Sequence, residues 1–219
     1  MTLKPVMLIL LLFVIANPSA SFADDEMAVG ITPTVSYVDV QHDGKTVRIQ
    51  RNQDTSNTVK ADYALTSRNC PPFCIRPINL APGVETIGEL EMLDYLVEAG
   101  DPENNILVID SRTPDWVAKG TIPGSVNIPW TLLKMDTSDP ITIAEVMTER
   151  FGAEQLDELW DFSNAKTLVM YCNGMWCGQS PRNIMTLTKF GYPPHKIKWY
   201  RGGMQNWEAL GLTTVVPGQ

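Results

Sequence analysis

TLVMYCNGMWCGQSPRNIMTLTKF, residues 167–190, passes from one kind of structure to another across a single short loop. Thr167 to Tyr171 is an apolar run of strand length that stops at Cys172, and it reads as a buried strand. Ser180-Pro181 reads as a helix start, with Ser as the cap and Pro in the first turn; that helix should reach Phe190 before Gly191 ends it. Asn173, Gly174, Met175, Trp176, Cys177, Gly178 and Gln179 lie between. Parallel strands present their carboxyl ends at the crevice where α/β proteins bind ligands. A Cys in that place faces loop N–H groups and the positive end of the next helix, and both favour a thiolate or a persulfide on it. Gly174 and Gly178 are expected to curl the loop through backbone angles that other residues avoid, gathering those N–H groups.

Working outward, Ile106 to Ile109 is a second buried strand ending at Asp110, Val126 to Pro129 a third, and Ile197 to Tyr200 a last one. Helical spacing occurs over Gly88 to Gly100, through Leu90, Leu93, Leu96 and Val97. Ile141–Phe151, Gln155–Phe162 and Trp207–Leu210 are further helix candidates. Strands alternating with helices imply an α/β fold with a mostly parallel sheet covered on both faces. Upstream, Val35 to Val40 and Thr46 to Gln50 alternate about Asp43-Gly44, a β-hairpin pattern. Two strands alone are marginal in water, so the hairpin should dock on the main domain or extend its sheet. Cys70-Pro-Pro-Phe-Cys74 is a compact turn, and Pro77 and Pro82 continue a non-helical path.

The chain has 219 residues, 44% hydrophobic and 19% charged, enough for one well-filled core and too short for a second large domain. Lys4, the apolar run Val6–Ala16, Asn17-Pro18, and the small residues Ser21 and Ala23 read as a secretory signal over residues 1–23, cut after Ala23. That run would span only about 16 Å as a helix against about 30 Å of hydrocarbon, which argues against an uncleaved anchor, and no membrane span is expected after cleavage. Cleavage removes Lys4 and no acid, so the formal charge of −8 becomes −9. So acidic a surface repels phosphate backbones, and no nucleic-acid partner is expected.

A series of ordered motifs carries a family resemblance. Ile109-Asp-Ser-Arg112 is followed by Lys119-Gly-Thr-Ile-Pro-Gly-Ser-Val-Asn-Ile-Pro129, then Leu168-Val-Met-Tyr-Cys172, then Lys189-Phe-Gly-Tyr192 and Trp199-Tyr-Arg-Gly-Gly203 with Trp207. Over roughly residues 85–215 the chain resembles a rhodanese-like domain. The resemblance implies a sheet of about five strands flanked by helices. It also implies a nucleophilic Cys at position 172 that takes sulfane sulfur from a small donor and passes it to a thiol or cyanide. The loop departs from the family's usual form: it is longer, holds a second Cys, and has no Lys or Arg. Arg182, just inside the helix, is the nearest cation, and a neutral loop bearing Trp176 points to a less charged donor such as an organic persulfide. Thr121 stands where the family has His and Trp116 where it has an acid, changes expected to alter packing around Arg112.

The cysteines leave several readings open. Cys172 holds the family's nucleophile position, while Cys177 lies nearer the helix N-terminus. The two together serve a persulfide-then-disulfide sequence, a thiol–disulfide redox function, or an inert bridge that pins the loop. A non-catalytic binding module is a further alternative. Cys70 and Cys74 read as a structural disulfide stapling an extension with little core, with a redox role in exchange with the loop pair as the alternative. His42 and His195 have no ligand spacing with either pair, so neither metal nor cofactor is expected. Asp110 and Arg112 read as a buried polar network beneath the loop, Gly202-Gly203 as a tight turn, Trp130, Trp199 and Trp207 as packing, and Glu85 to Asp94 as an exposed acidic face.

These readings describe an exported, periplasmic sulfurtransferase: signal 1–23, extension 24–84 with hairpin and Cys turn, rhodanese-like domain 85–216. The extension is also the expected surface for a periplasmic protein partner. When the full chain is expressed in a bacterium, the N-terminus of the periplasmic product should read Asp24; retention of residues 1–23 would overturn the cleavage site.

Overall fold

The computed structural model describes residues 27–136, 138–157 and 159–218, so the expected signal at 1–23 lies outside the described residues. In chain order the elements begin with strands β1 (Tyr37–His42) and β2 (Lys45–Gln50), the single turn α1 (Ala61–Ala64), β3 (Glu85–Ile87) and helix α2 (Glu89–Glu98). Next come β4 (Ile106–Asp110), α3 (Pro114–Val117), β5 (Val126–Asn127) and α4 (Pro140–Glu145). The chain then forms β6 (Glu154–Leu156), β7 (Leu159–Asp161), β8 (Thr167–Tyr171), α5 (Gln179–Lys189), β9 (Ile197–Tyr200) and α6 (Gly203–Ala209).

Five strands run parallel in the order β3-β9-β8-β4-β5, which puts β8 and its following Cys at the centre. Side chains alternate across a strand. Leu168 and Met170 therefore join one core with Ile184 and Leu187 of α5, while Val169 and Tyr171 join another with Met92, Leu93 and Leu96 of α2 and Met204 and Trp207 of α6. Helices on both faces are the reason β8 is apolar throughout rather than alternating. The first hairpin stays outside this sheet. It turns at Asp43-Gly44, where both residues have positive φ as a two-residue hairpin turn requires. Val40 and Ile49 bury against the α2 core, and Gln50 and Thr213 bond each other through both N–H groups.

Four expectations are corrected. Gln155–Phe162 is the antiparallel hairpin β6-β7 and not a helix. Asp157 takes φ 54° there, and strand alternation sends Trp160 and Phe162 to the same core, whereas on a helix they would stand on opposite sides. The last helix begins at Gly203, earlier than Trp207, because two glycines of low helix propensity hide its start. Ser180 lies inside the first turn of α5, whose N-cap is Gly178. Within the acidic face Glu89 is part-buried, accepting from Tyr200 Oη and Asn206 Nδ2. Strand β3 was not anticipated, since three residues are too few to show a period.

Behind the loop, Arg112 and Asp110 form a fully buried ion pair. Arg112 Nε and Nη2 donate to the carboxylate, Nη2 also to Gly120 O, and Nη1 to Tyr63 Oη (3.0 Å) and Trp116 O (3.4 Å). Asp110 Oδ2 also accepts from Thr121 Oγ1 at 2.8 Å and Tyr171 Oη at 3.1 Å. Burial works against the Arg112 charge, but the charge and hydrogen bonds of Asp110 outweigh it and hold the guanidinium ionised. Burial pushes the Tyr63 phenol up to about 12, and burial reinforced by Asp110 raises Tyr171, so both remain protonated at neutral pH. Arg112→Met strips the buried carboxylate of its partner and should cost about 3–5 kcal/mol, measured as a lower urea midpoint; an unchanged midpoint would contradict this account.

Candidate functional site

Cys172 follows β8 directly, and its sulfur is joined to that of Cys177 across the loop, with the two Cα atoms 6.4 Å apart. Both are buried. The Ser180 hydroxyl donates to Cys172 Sγ at 3.2 Å. Being one position past the start of α5 is what turns this hydroxyl from a capping role to the sulfur. Gln179 and Ser180 have N–H groups in the first turn of α5, where no intrahelical acceptor is available.

The start of α6 clamps the other side of the loop. Met204 N donates to Cys172 O at 3.0 Å and Gln205 N to Asn173 O at 2.9 Å. Gly203 has φ 55°, and a Cβ there would fall 2.8 Å from Gly174 N. Both facts call for glycine. Gly174 and Gly178, by contrast, do not adopt the left-handed angles expected of them. The structure leaves them little side-chain room: a Cβ on Gly174 would lie 3.1–3.3 Å from Gln205 and the Trp176 indole, and one on Gly178 would displace the flexible end of Arg76.

That arginine comes from the extension, which folds over the loop. Arg76 N donates to Met175 O (2.9 Å), and Arg201 Nη2 donates to Arg76 O (2.8 Å). Phe73 meets Trp176 edge to face, and the Arg68 guanidinium lies 3.9 Å over the Trp176 ring. Trp176 Nε1 in turn donates to Gln205 Oε1 at 2.8 Å. A disulfide between Cys70 and Cys74 closes the turn that carries Phe73. Together these segments enclose a cavity of about 280 Å³ that opens on Cys177, Gly178 and Gln179 and is also bounded by Asn173, Trp116, Trp130 and Arg182.

The surroundings are thus strongly cationic although the loop itself carries no Lys or Arg: Arg68 and Arg76 arrive from a distant segment and join Arg182. Sequence reading passed over Arg68, Phe73 and Arg76. The available signal was their placement, one arginine two residues outside each cysteine of the Cys70–Cys74 staple with Phe73 inside it. Asp110 and Arg112 do not line the cavity and act from behind the sheet end. A larger polar cleft of about 500 Å³ near Gln53 and Thr213 contains no cysteine. Among the described residues no cluster of His, Cys, Asp or Glu is placed to hold a metal ion, and no helix is long and apolar enough to cross a membrane.

Gly203→Ala is expected to cost about 1–2 kcal/mol from its backbone angle alone. Hydrogen exchange at Met204 and Gln205 should rise as their bonds to the loop loosen; unaltered exchange would remove the clamp from this account.

The family model described as Rhodanese-like domain matches residues 92–210. Similar solved structures include a human single-domain sulfurtransferase, 21% identical, covering 57% of this chain and 95% of that chain with a TM-score of 0.34. A rhodanese-like domain from Anabaena sp. is 16% identical, covering 64% of this chain and 84% of that chain with a TM-score of 0.38. A Rhodopseudomonas palustris protein of unknown function, described as a possible tyrosine phosphatase, is 19% identical, covering 66% and 94% with a TM-score of 0.38. No curated protein matches the chain.

Proposed function

The chain belongs to the rhodanese-like domain family, and from that premise we propose that it is a sulfurtransferase carrying sulfane sulfur as a persulfide on Cys172. The donor is thiosulfate or an organic persulfide, and the acceptor is cyanide or a thiol. The observation that carries this reading is the position of Cys172 Sγ: at the carboxyl end of the central strand, beside the start of α5, and accepting the Ser180 hydroxyl. A terminal persulfide anion there meets the N–H groups of the loop and of the first turn of α5, which stabilise it without reorganisation.

The cycle begins from the Cys172–Cys177 disulfide. Two equivalents of thiol, or one dithiol reductase, open it and leave two reduced cysteines. The Cys172 thiolate attacks the sulfane sulfur, the donor S–S bond breaks, and its electron pair leaves on sulfite or on a thiolate. An acceptor nucleophile then takes the outer sulfur and restores the thiolate. In a second exit, Cys177 attacks the inner sulfur of the persulfide, HS⁻ departs, and the disulfide re-forms. That exit uses the proximity of the two sulfurs directly.

The proposal includes export to a bacterial periplasm, supported by the signal-like residues 1–23 and by two disulfides, which persist in oxidising compartments. It keeps residues 24–84 as the extension and 85–216 as the family domain, with the extension as the surface that meets a periplasmic reductant or acceptor protein. One rival draws on a specific observation: the observed disulfide also suits a thiol–disulfide exchange protein, in which Cys177, lining the cavity, is the sulfur first met by an incoming thiol.

Intact mass decides between them. After mild reduction and brief exposure to thiosulfate or glutathione persulfide, the chain should gain one sulfur that cyanide removes; Cys172→Ser should lose this gain and Cys177→Ser should keep it. A protein that only regains its disulfide, with no sulfur adduct in any variant, is an exchange protein and not a sulfurtransferase.

A further inference from the structure

We propose that the Cys70–Cys74 bridge is a second redox site, which a dithiol protein reduces and which passes the electrons on to the Cys172–Cys177 bridge. The proposal rests on the reading that the loop bridge must be opened, a requirement that the sulfurtransferase and its exchange-protein rival share. Both cysteines of the staple lie outside residues 92–210, the span of the family match.

The two bridges differ in access. Cys172 and Cys177 are 2% and 3% exposed. Cys177 borders a cavity of about 280 Å³, at the small end of ligand pockets, which admits a small thiol but not the reactive loop of a protein. Cys70 is exposed and Cys74 is part-exposed. Exchange requires an attacking thiolate to reach a sulfur, so a protein reductant meets the staple first. Ile75, beside Cys74, is 82% exposed, and Leu65 and Ile78 of the same segment are exposed as well. Apolar side chains left in water there give such a partner a surface to cover.

The local charge suits exchange. Between Asp62 and Glu85 the only charged side chains are Arg68 and Arg76, each two residues outside a cysteine of the staple. Neither forms a salt bridge among the described residues. Cations of this kind favour a thiolate, which improves each cysteine as a leaving group. The staple and the loop are also in contact. Arg76 N donates to Met175 O at 2.9 Å, and the Phe73 and Trp176 rings meet with centroids 5.5 Å apart. Residues 73–76 therefore lie against residues 175–178, with Cys74 in one stretch and Cys177 in the other. Phe73, Arg76 and Cys177 border the same cavity, and opening the staple frees Cys74 to turn into it.

The transfer has three stages. A thiolate of the dithiol attacks Cys70 Sγ, the S–S bond breaks with its electron pair leaving on Cys74, and the second thiol closes the partner's disulfide and releases Cys70. Cys74 then attacks Cys177 Sγ, and the pair leaves on Cys172, to which the Ser180 hydroxyl donates. Finally Cys70 attacks Cys74, Cys177 leaves as a thiolate, and the staple re-forms. One dithiol is oxidised, the loop bridge is reduced, and the dithiol's two protons end on the loop thiols or in solvent.

Two measurements test the relay, with reduced thioredoxin as the dithiol protein and the small phosphine TCEP as a reductant that bypasses the staple. In the first, the oxidised full chain and Cys70→Ser/Cys74→Ser are given each reductant, quenched with iodoacetamide and mapped by peptide mass. Thioredoxin should open the loop bridge at least about tenfold more slowly in the variant, while TCEP opens it at least as fast as in the native chain. A staple that only restrains the segment predicts the reverse, because its loss bares the loop bridge; equal or faster opening by thioredoxin overturns the relay. In the second, Cys70→Ser/Cys172→Ser, which retains only Cys74 and Cys177, is exposed to oxidised glutathione. The two should join in one disulfide, and a separate glutathione adduct on each overturns the relay. The native chain opened with TCEP and given thiosulfate or glutathione persulfide reports separately on sulfur transfer: absence of an adduct sinks that reading, while the opening rates still decide the relay.

Discussion

The ion pair between Asp110 and Arg112 lies where four segments meet: the end of β4, the turn before β5, the end of β8, and α1 of the extension. Removing two charges from water costs several kcal/mol for each ion unless every remaining hydrogen-bonding group finds a partner. Here the guanidinium donates to the carboxylate, to two backbone carbonyls and to the Tyr63 phenol, and the carboxylate also receives Thr121 and Tyr171. A pair so fully satisfied tolerates few alternative arrangements of its neighbours. Tyr171, the residue before Cys172, is tied to it directly, so the point from which the loop departs is held by a polar network and not by apolar packing alone.

Tyr63 extends that constraint to the N-terminal segment. Its hydroxyl accepts from Arg112 while its carbonyl accepts from Gln205, the residue that also holds Trp176 of the loop. The segment thereafter has little core of its own, with Leu65, Ile75 and Ile78 exposed. A covalent link between Cys70 and Cys74 suits such a stretch, because it removes conformational freedom that burial cannot offset. What the staple carries, Phe73 between two flanking arginines, is brought over a loop that has no cation of its own. A family domain with a neutral loop thereby acquires a positive rim from outside its own boundaries.

The loop is consequently supported on three sides: strand β8 beneath, α6 against its backbone, and the extension above. Ser180 and the first turn of α5 face Cys172, whereas Cys177 faces the cavity. This division of surroundings fits one sulfur stabilised as an anion and a second placed to meet a ligand or to close the bridge.

Much of this was legible in the chain itself, because the signals are local. The apolar runs of β4 and β8, the strand–Cys–loop–helix succession, the Asp43-Gly44 turn and the helix before Gly100 follow from periodicity and backbone preference within a few residues. The family motifs at Asp110, Arg112 and Cys172 are legible for the same reason. Local pattern failed where two periods compete over a short stretch, as at Gln155–Phe162, where only the core that Trp160 and Phe162 fill together selects strand over helix. It failed again at Gly174 and Gly178, whose absent side chains make room for Gln205, Trp176 and Arg76 and not for a bent backbone. The cationic cavity was decided by tertiary structure alone. Arg68 and Arg76 are distant from Cys177 along the chain, and no local preference records which segment will cross a loop once the hairpin, Tyr63 and the Cys70–Cys74 bridge have directed the chain's path.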